Sequence, residues 1–451
     1  GSADINLNGD LVIKPGATLQ VAHGLVLHVS GKIDIWNLGT LIIKGVCYVS
    51  TYNLYNSGQL ILNSDFVGEL AIANTFLQYS NGSLGLHGGT LKLDKAYGGA
   101  MFSFGGTTSM SGGTLQITNN GMQIGTSGFN FSGGTIKLGW GFQANSPNTF
   151  QANNGSVEFI GTSSATVSLG SGNYFPAVTI NKSGTSGSVY LGTDVSIKYN
   201  LSLNGGKLYV NQHILSVQKD ISFNSGYLYG DNANDEIQVG GSWTNYGGSA
   251  YFIEGSGLVK FISSVYTKQI KSNESFNNLS LDTNSEYVYV AAGKTIAVAG
   301  NLEILSGKFR PLDSTQLNVS GDLIITGVGS YLDQNFRRET GNTNVHVFGD
   351  CFITGGRLLS IDTNGSIPLD IITIDGELSL NDGVLNTLDA DITVHGNFST
   401  TAASYLVTRG GSFVNDAPYT GAWQYVNCPW TTWGNSIEFP NKGLQFISGA
   451  S

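Results

Sequence analysis

The chain has 451 residues, of which 40% are hydrophobic and only 12% charged, with 63 Gly and 8 Pro. The hydrophobic share, with 22 Phe, 20 Tyr and 6 Trp, excludes a disordered polar chain. A net charge of −10 disfavours a nucleic-acid partner, which needs a basic surface, and no apolar run is long enough to predict a membrane span.

The N-terminal part, residues 1–154, is a series of short alternating strands such as GDLVIKPGATLQV, GLVLHVSGKIDI and GTLIIKGVCYV. Between residues 82 and 139 a smaller motif recurs as GGTLKL, GGTLQI and GGTIKL. Its glycines Gly89, Gly113 and Gly134 are 24 and 21 residues apart. This spacing predicts N-terminal coils of a repeat protein, with one turn of chain for each motif.

The next part of the chain is a duplication of about one hundred residues. The first long repeat covers 155–256, the second covers 257–436 with extra rungs, and 437–451 starts a truncated third repeat. The natural protein is therefore expected to be longer. A constant offset of 101 residues relates Asn200, Leu201, Leu203, Gly206 and Leu208 to Asn301, Leu302, Ile304, Gly307 and Phe309.

Each repeat contains a shorter period of 20 or 21 residues, marked by an Asn or Asp at a corner and followed by apolar, any, apolar. Such a period predicts an all-β fold: a parallel β-helix, or β-solenoid, with rungs of about 20 residues and a right-handed coil. The inward positions are expected to stack along one axis; they are Leu201, Ile221, Leu302, Leu323, Cys351, Leu378 and Phe398. Tandem β-sandwiches of about one hundred residues are the alternative.

Two polar loops are candidates for binding. The segment DNANDE contains Asp231, Asn234 and Asp235, whose oxygens suit a Ca²⁺ ion, although a solvated loop is the simpler interpretation. The segment FRRET contains Arg337 and Arg338, which could clamp an acidic sugar or form surface ion pairs.

Aromatic residues form the other candidate site. Trp423, Tyr425, Trp430 and Trp433 are close together in AWQYVNCPWTTW, and exposed rings of this kind bind sugars or proteins. The alternative is that they fill the core beside an irregular loop. Outward tyrosines are expected to form ladders between rungs; these are Tyr209, Tyr227 and Tyr229.

No catalytic residue or cofactor site is predicted. The six His are dispersed, and no nucleophile elbow or phosphate-binding loop occurs. The three Cys have neither a disulfide framework nor a zinc spacing, and Cys351 stands where other rungs have Leu.

Several segments in the long repeats form a recurring set. They are GLVKF (257–261), KQI (268–270), FNNLSL (276–281), GNLEILSGKF (300–309) and VGGSWTN (239–245). This set resembles the repeats of long, secreted, Gly- and Asn-rich surface proteins of Bacteroidota-like bacteria. The resemblance covers about 155–327 well, and implies an extracellular, cell-surface role in adhesion or in an envelope layer.

Two functions are therefore expected. The first is a non-enzymatic, rigid structural or adhesive module whose partners are surface glycans or other envelope proteins. The alternative is a carbohydrate-binding or polysaccharide-degrading β-helix that uses the polar loops or the Trp cluster.

Overall fold

A computed structural model gives the structure of most of the chain. The residues it does not describe are 1–2, 8, 30–33, 94–101, 185–186, 248–250, 328, 335–342, 361–370, 387–390, 402–403, 409–412, 416–423, 427–429, 433–436, 439–443 and 447–451. The chain divides into two compact units. The first unit comprises Gly1–Gln218 and Phe223–Tyr229, and the second comprises Lys219–Ser222 and Gly230–Ser451.

The described residues form strands and turns, and no helix. The strands up to Tyr229 are β1 (Ala3–Leu7), β2 (Leu11–Ile13), β3 (Thr18–Val21), β4 (Leu25–Val29), β5 (Asp34–Asn37), β6 (Thr40–Ile43), β7 (Val46–Asn56), β8 (Gln59–Leu62), β9 (Val67–Gln78), β10 (Ser83–Leu86), β11 (Thr90–Leu93), β12 (Phe102–Phe104), β13 (Thr107–Ile117), β14 (Met122–Ile124), β15 (Phe129–Leu138), β16 (Phe142–Ala144), β17 (Phe150–Ala152), β18 (Ser156–Gly161), β19 (Ala165–Leu169), β20 (Ala177–Lys182), β21 (Ser188–Leu191), β22 (Val195–Ile197), β23 (Leu201–Gly205), β24 (Lys207–Tyr209), β25 (Ile214–Val217), β26 (Ile221–Phe223) and β27 (Tyr227–Tyr229).

The remaining strands are β28 (Glu236–Val239), β29 (Trp243–Asn245), β30 (Phe252–Ile253), β31 (Leu258–Ile262), β32 (Lys268–Ile270), β33 (Glu274–Phe276), β34 (Asn278–Val290), β35 (Thr295–Val298), β36 (Leu302–Pro311), β37 (Gln316–Val319), β38 (Leu323–Thr326), β39 (Tyr331–Gln334), β40 (Asn344–Val347), β41 (Cys351–Thr354), β42 (Arg357–Ser360), β43 (Ile371–Ile374), β44 (Leu378–Asn381), β45 (Val384–Asn386), β46 (Asp391–Val394), β47 (Phe398–Thr400), β48 (Tyr405–Thr408), β49 (Phe413–Asn415), β50 (Gln424–Val426), β51 (Trp430–Thr432), β52 (Ile437–Glu438) and β53 (Leu444–Phe446).

The strands stack in parallel, each pairing with a strand about one turn later in the chain, as in β37 with β40 and β40 with β43. The fold is thus a β-solenoid, with about 17 turns of about 21 residues in the two units together. This confirms the predicted fold class and rung length. The β-sandwich alternative is wrong, because the strands of the described residues pair in parallel. An isolated bridge between Thr326 and Gly355 is antiparallel, but it is not part of a strand pairing.

Three ladders of strands make up each turn of the second unit. Ladder A contains β31, the first half of β34, the first half of β36, β38, β41, β44 and β47. Ladder B contains β32, the second halves of β34 and β36, and then β39, β42, β45, β48 and β51. Ladder C is an eight-stranded sheet of β33, β35, β37, β40, β43, β46, β49 and β52.

The core lies inside these ladders, because alternate side chains of each strand point inward. In ladder A of the second unit, register places five predicted inward residues one above another: Leu302, Leu323, Cys351, Leu378 and Phe398. All five are buried, as are Leu201 and Ile221. Burial also raises the pKa of the Cys351 thiol, so this residue serves as a small apolar side chain, as predicted.

The corner residues between ladders C and A form a column of hydrogen bonds. The backbone N–H of Asp322 donates to Asn301 Oδ1 at 3.0 Å, that of Asp350 to Asp322 Oδ1 at 2.9 Å, and that of Glu377 to Asp350 Oδ1 at 2.7 Å. Each corner side chain therefore satisfies a backbone donor of the next turn. This bonding explains why Asn or Asp recurs at the predicted corners.

A glycine precedes each of these corners because the backbones approach closely. Gly349 N–H donates to Gly321 O at 3.2 Å. A Cβ at Gly349 would lie 2.4 Å from Gly321 O and 2.6 Å from Asp322 Oδ1, which no real Cβ tolerates. In the first unit, Gly113 in β13 and Gly134 in β15 have φ of 68° and 92°, which also disfavours other residues.

Candidate functional surface

The predicted calcium loop lies in the turn before β28. Asp235 is only 1% exposed, and its Oδ2 accepts the Asn232 N–H at 3.0 Å. Asp231 and Asn234 are exposed. One of the three predicted ligands is thus directed into its own turn. Among the described residues no group of three or more His, Cys, Asp or Glu side chains could hold a metal ion, and the Ca²⁺ site stays a prediction.

The predicted aromatic site falls largely outside the described residues. Trp423 and Trp433 lie there entirely, as do Arg337 and Arg338 of the second polar loop. Tyr425 belongs to β50 and Trp430 to β51, and their backbones pair with Gln445 and Leu406. The structure therefore places two of the four residues on strands and leaves the predicted cluster untested.

An aromatic column occupies the outer face of one ladder in the first unit. This ladder includes β21, β24 and β27, whose register aligns Tyr190, Tyr209 and Tyr229. The ring of Tyr209 stacks on Tyr190 at 4.7 Å and on Tyr229 at 4.3 Å between centroids. The predicted ladder is confirmed for Tyr209 and Tyr229. Tyr227 is instead tilted against Tyr229 at 6.5 Å, because its own column contains Lys207.

The outer face of ladder B in the second unit alternates aromatic and cationic side chains. Register aligns Tyr287, Lys308, Tyr331 and Arg357 on four successive turns, which we call the stripe. Lys308 Nζ lies 4.5 Å from the centroid of the Tyr287 ring and 5.4 Å from that of Tyr331. Arg357 Cζ lies 5.4 Å from the Tyr331 centroid. Each cation of the stripe is thus held against a tyrosine face.

Sequence reasoning missed this stripe, although its signal was present. Its members are 21, 23 and 26 residues apart, so the turns differ in length and no fixed offset connects them. A search for Tyr, Lys and Arg at outward positions of successive rungs would have found them. Tyr287, Lys308 and Tyr331 are half-buried and Arg357 is exposed, so the stripe forms part of the protein surface.

A buried carboxyl group lies at the start of ladder C. Glu274, 3% exposed, accepts hydrogen bonds at Oε2 from Trp243 Nε1 at 2.7 Å and from Asn245 Nδ2 at 2.9 Å. The motif VGGSWTN therefore has a physical role, since its Trp and Asn both bind this carboxyl group. Burial outweighs these hydrogen bonds and raises the pKa of Glu274 to about 7.

We expect Glu274 to make stability depend on pH. Its pKa is raised from 4.5 to about 7 on folding, so the protonated acid stabilises the folded state and ionisation opposes folding. Glu274 makes its full contribution to the free energy of unfolding below about pH 4. This contribution is lost as the pH rises through about 7, a total change of about 3 kcal/mol. Urea unfolding of the native chain and of Glu274→Gln between pH 4 and 8 measures it.

The neutral amide of Glu274→Gln cannot ionise, so the difference between the two chains isolates Glu274 from Glu254, whose pKa burial also raises. If the free energies of unfolding of the two chains differ by the same amount across this pH range, Glu274 has the same pKa in the folded and unfolded chains.

Two buried lysines support the same backbone position in the two repeats. Lys182 Nζ donates to Gly139 O at 2.6 Å and to Ser163 O at 2.7 Å. Lys268 Nζ donates to Ser264 O at 3.4 Å and contacts Glu286 Oε2 at 2.5 Å. Ser163 and Ser264 are 101 residues apart and therefore occupy the same position in the two repeats. The carbonyl group of each accepts a hydrogen bond from a lysine, but the two lysines come from different strands. Burial lowers the pKa of Lys182 to about 8.

The described part of the chain contains no helix that could span a membrane. Comparisons of the chain with protein-family models, with curated proteins and with solved structures gave no match.

Proposed function

We propose that the chain is a non-enzymatic module of an extracellular, cell-surface protein, with a rigid structural or adhesive role within a longer repeat protein. Its expected partners are surface glycans or other envelope proteins. The proposal rests on the β-solenoid fold and on what the two long repeats share.

The observation that carries this proposal is the pattern shared at an offset of 101 residues. Leu201 and Leu302 are both buried, as are Leu208 and Phe309. Gly206 and Gly307 both have positive φ, at 74° and 92°. The repeated features are therefore packing and turn positions, which support a scaffold.

Buried basic residues of one repeat lack a counterpart in the other. Lys182 of the first repeat has Thr283 at the offset position, and Arg310 of the second has Tyr209. Both Lys182 and Lys268 bond to backbone carbonyl groups of the fold. These differences favour a module in which buried charge stabilises turns, rather than a chemistry repeated in each copy.

The enzymatic alternative is tested with purified protein and a panel of plant and bacterial polysaccharides. We expect no release of reducing ends above that from a heat-unfolded sample. Sustained turnover on any polysaccharide would contradict a purely structural or adhesive role.

The location is tested by labelling intact source cells with an antibody against the purified chain. We expect the antibody to label the cell surface. Recovery of the protein only from the contents of broken cells would contradict the proposal.

Carbohydrate binding without degradation is the second candidate. The stripe favours it, because tyrosine rings and nearby cations on a repeating surface provide both contacts that an acidic glycan needs.

A further inference from the structure

We infer that the stripe of the second unit binds an acidic polysaccharide, a polymer that carries carboxylates on its sugar rings. This inference rests on the proposed adhesive role and adds the surface and the class of ligand. Lys308 and Arg357 would bind the carboxylates. Tyr287 and Tyr331, whose ring faces hold these cations, would contact the sugars through their ring edges and hydroxyl groups.

The charge of the stripe supports an anionic ligand. Lys308 and Arg357 form no ion pair with a carboxylate among the side chains that the structure describes, and their contacts there are with tyrosine rings. Two other lysines of the same unit are paired: Lys260 lies 3.0 Å from Asp282, and Lys268 contacts Glu286. Within the described side chains, the stripe thus places two positive charges without a carboxylate partner on a chain with a net charge of −10.

The spacing of the stripe supports a polymer rather than a small anion. Adjacent turns of a parallel ladder are about 4.8 Å apart, so Lys308 and Arg357, two turns apart, are separated by about 10 Å along the ladder. Tyr331 lies between them in register. One cation and one ring therefore recur in line, which suits a ligand that repeats a charged and an apolar group along its length.

Stacking alone does not account for the cations. In the first repeat, Lys207 occupies the position of Lys308, but its neighbours in register are Ser188 and Tyr227, so it has a tyrosine on one side only. A cation at an exposed tyrosine face contributes only about 0.5–1 kcal/mol to stability. The second repeat instead aligns Lys308 with Tyr287 and Tyr331 on either side and adds Arg357 on the next turn, so cations and tyrosine rings alternate over four turns.

The test compares the native chain with a variant that carries both Lys308→Gln and Arg357→Gln. Affinity electrophoresis in gels containing polygalacturonate or alginate, both carboxylated, measures binding, with neutral dextran as the reference polymer. We expect retardation by at least one of the carboxylated polymers, none by dextran, and about tenfold weaker binding or more for the variant. Added salt should weaken binding of the native chain.

A matched control carries Lys271→Gln and Lys294→Gln, which remove the same charge from the same unit at turn positions outside the stripe. We expect this control to bind like the native chain. Equal melting temperatures of all three proteins show that folding is intact. A further variant, Tyr331→Leu, should weaken binding while the charge stays constant.

Three outcomes would overturn the inference. They are no retardation by either carboxylated polymer, equal loss of binding in the stripe and control variants, and tighter binding to duplex DNA or heparin than to both carboxylated polymers. These outcomes leave the structural role intact, whereas cleavage of the polysaccharide would contradict the proposed function itself.

Discussion

Replacing Phe150 by Ala is expected to lower the free energy of unfolding by about 4 kcal/mol. Phe150 has 0% exposure and lies at the centre of an aromatic cluster in the first unit. Its ring is 4.9 Å from Phe142, 5.8 Å from Phe129 and 5.9 Å from Phe131 and Phe175. Its removal leaves a cavity that touches several turns, and rigid strands on all sides limit collapse.

Urea unfolding followed by circular dichroism measures this effect. Tyr48→Ala is the matched control, because Tyr48 is an aromatic residue on a strand of the same unit but is 55% exposed. We expect the control to lose less than about 1 kcal/mol. Similar losses in the two variants would show that Phe150 is not packed as described.

Gly349→Ala is expected to destabilise the second unit by about 3 kcal/mol, the upper range for overpacking. The new methyl group would collide with Gly321 O and Asp322 Oδ1. Because Gly321 O belongs to the backbone, the clash is relieved only by separating two turns. That movement also weakens the hydrogen bond from Asp350 N–H to Asp322 Oδ1.

Gly9→Ala is the control for this prediction. A Cβ at Gly9 meets no atom within 4 Å, and we expect a change of less than about 0.5 kcal/mol. Both variants are compared with the native chain in the same urea titration. If Gly349→Ala is as stable as the native chain, the backbones of Gly349 and Gly321 do not approach as closely as described.

The fold was predictable from the sequence because its signals are local and periodic. Corner residues such as Asn301 and Asp322 must accept a hydrogen bond from the next turn, so the same residue types return after 21 residues. Inward positions such as Leu302 and Leu323 follow directly after each corner. Local spacing therefore determined both the turn length and the core.

The sites were less predictable because they depend on register between turns of unequal length. Glu274 meets Trp243 and Asn245 only through a fold that joins residues 29 to 31 positions apart. The stripe depends on turns of 21, 23 and 26 residues, and a single wrong length would have moved Tyr331 away from Lys308. By contrast, Tyr209 and Tyr229 lie in turns of nearly constant length, and their stacking was predicted.

The central claim, parallel stacking in register, is most directly tested by disulfide crosslinking between β37 and β40. Gln316 pairs with Asn344 and Asn318 with His346 in this ladder. Neighbouring positions at about 4.8 Å lie within the range that a disulfide spans. In a chain carrying Cys428→Ser, we expect rapid crosslinking of Gln316→Cys with Asn344→Cys and of Asn318→Cys with His346→Cys. Preferential crosslinking of Gln316→Cys with His346→Cys would indicate antiparallel pairing and contradict the solenoid.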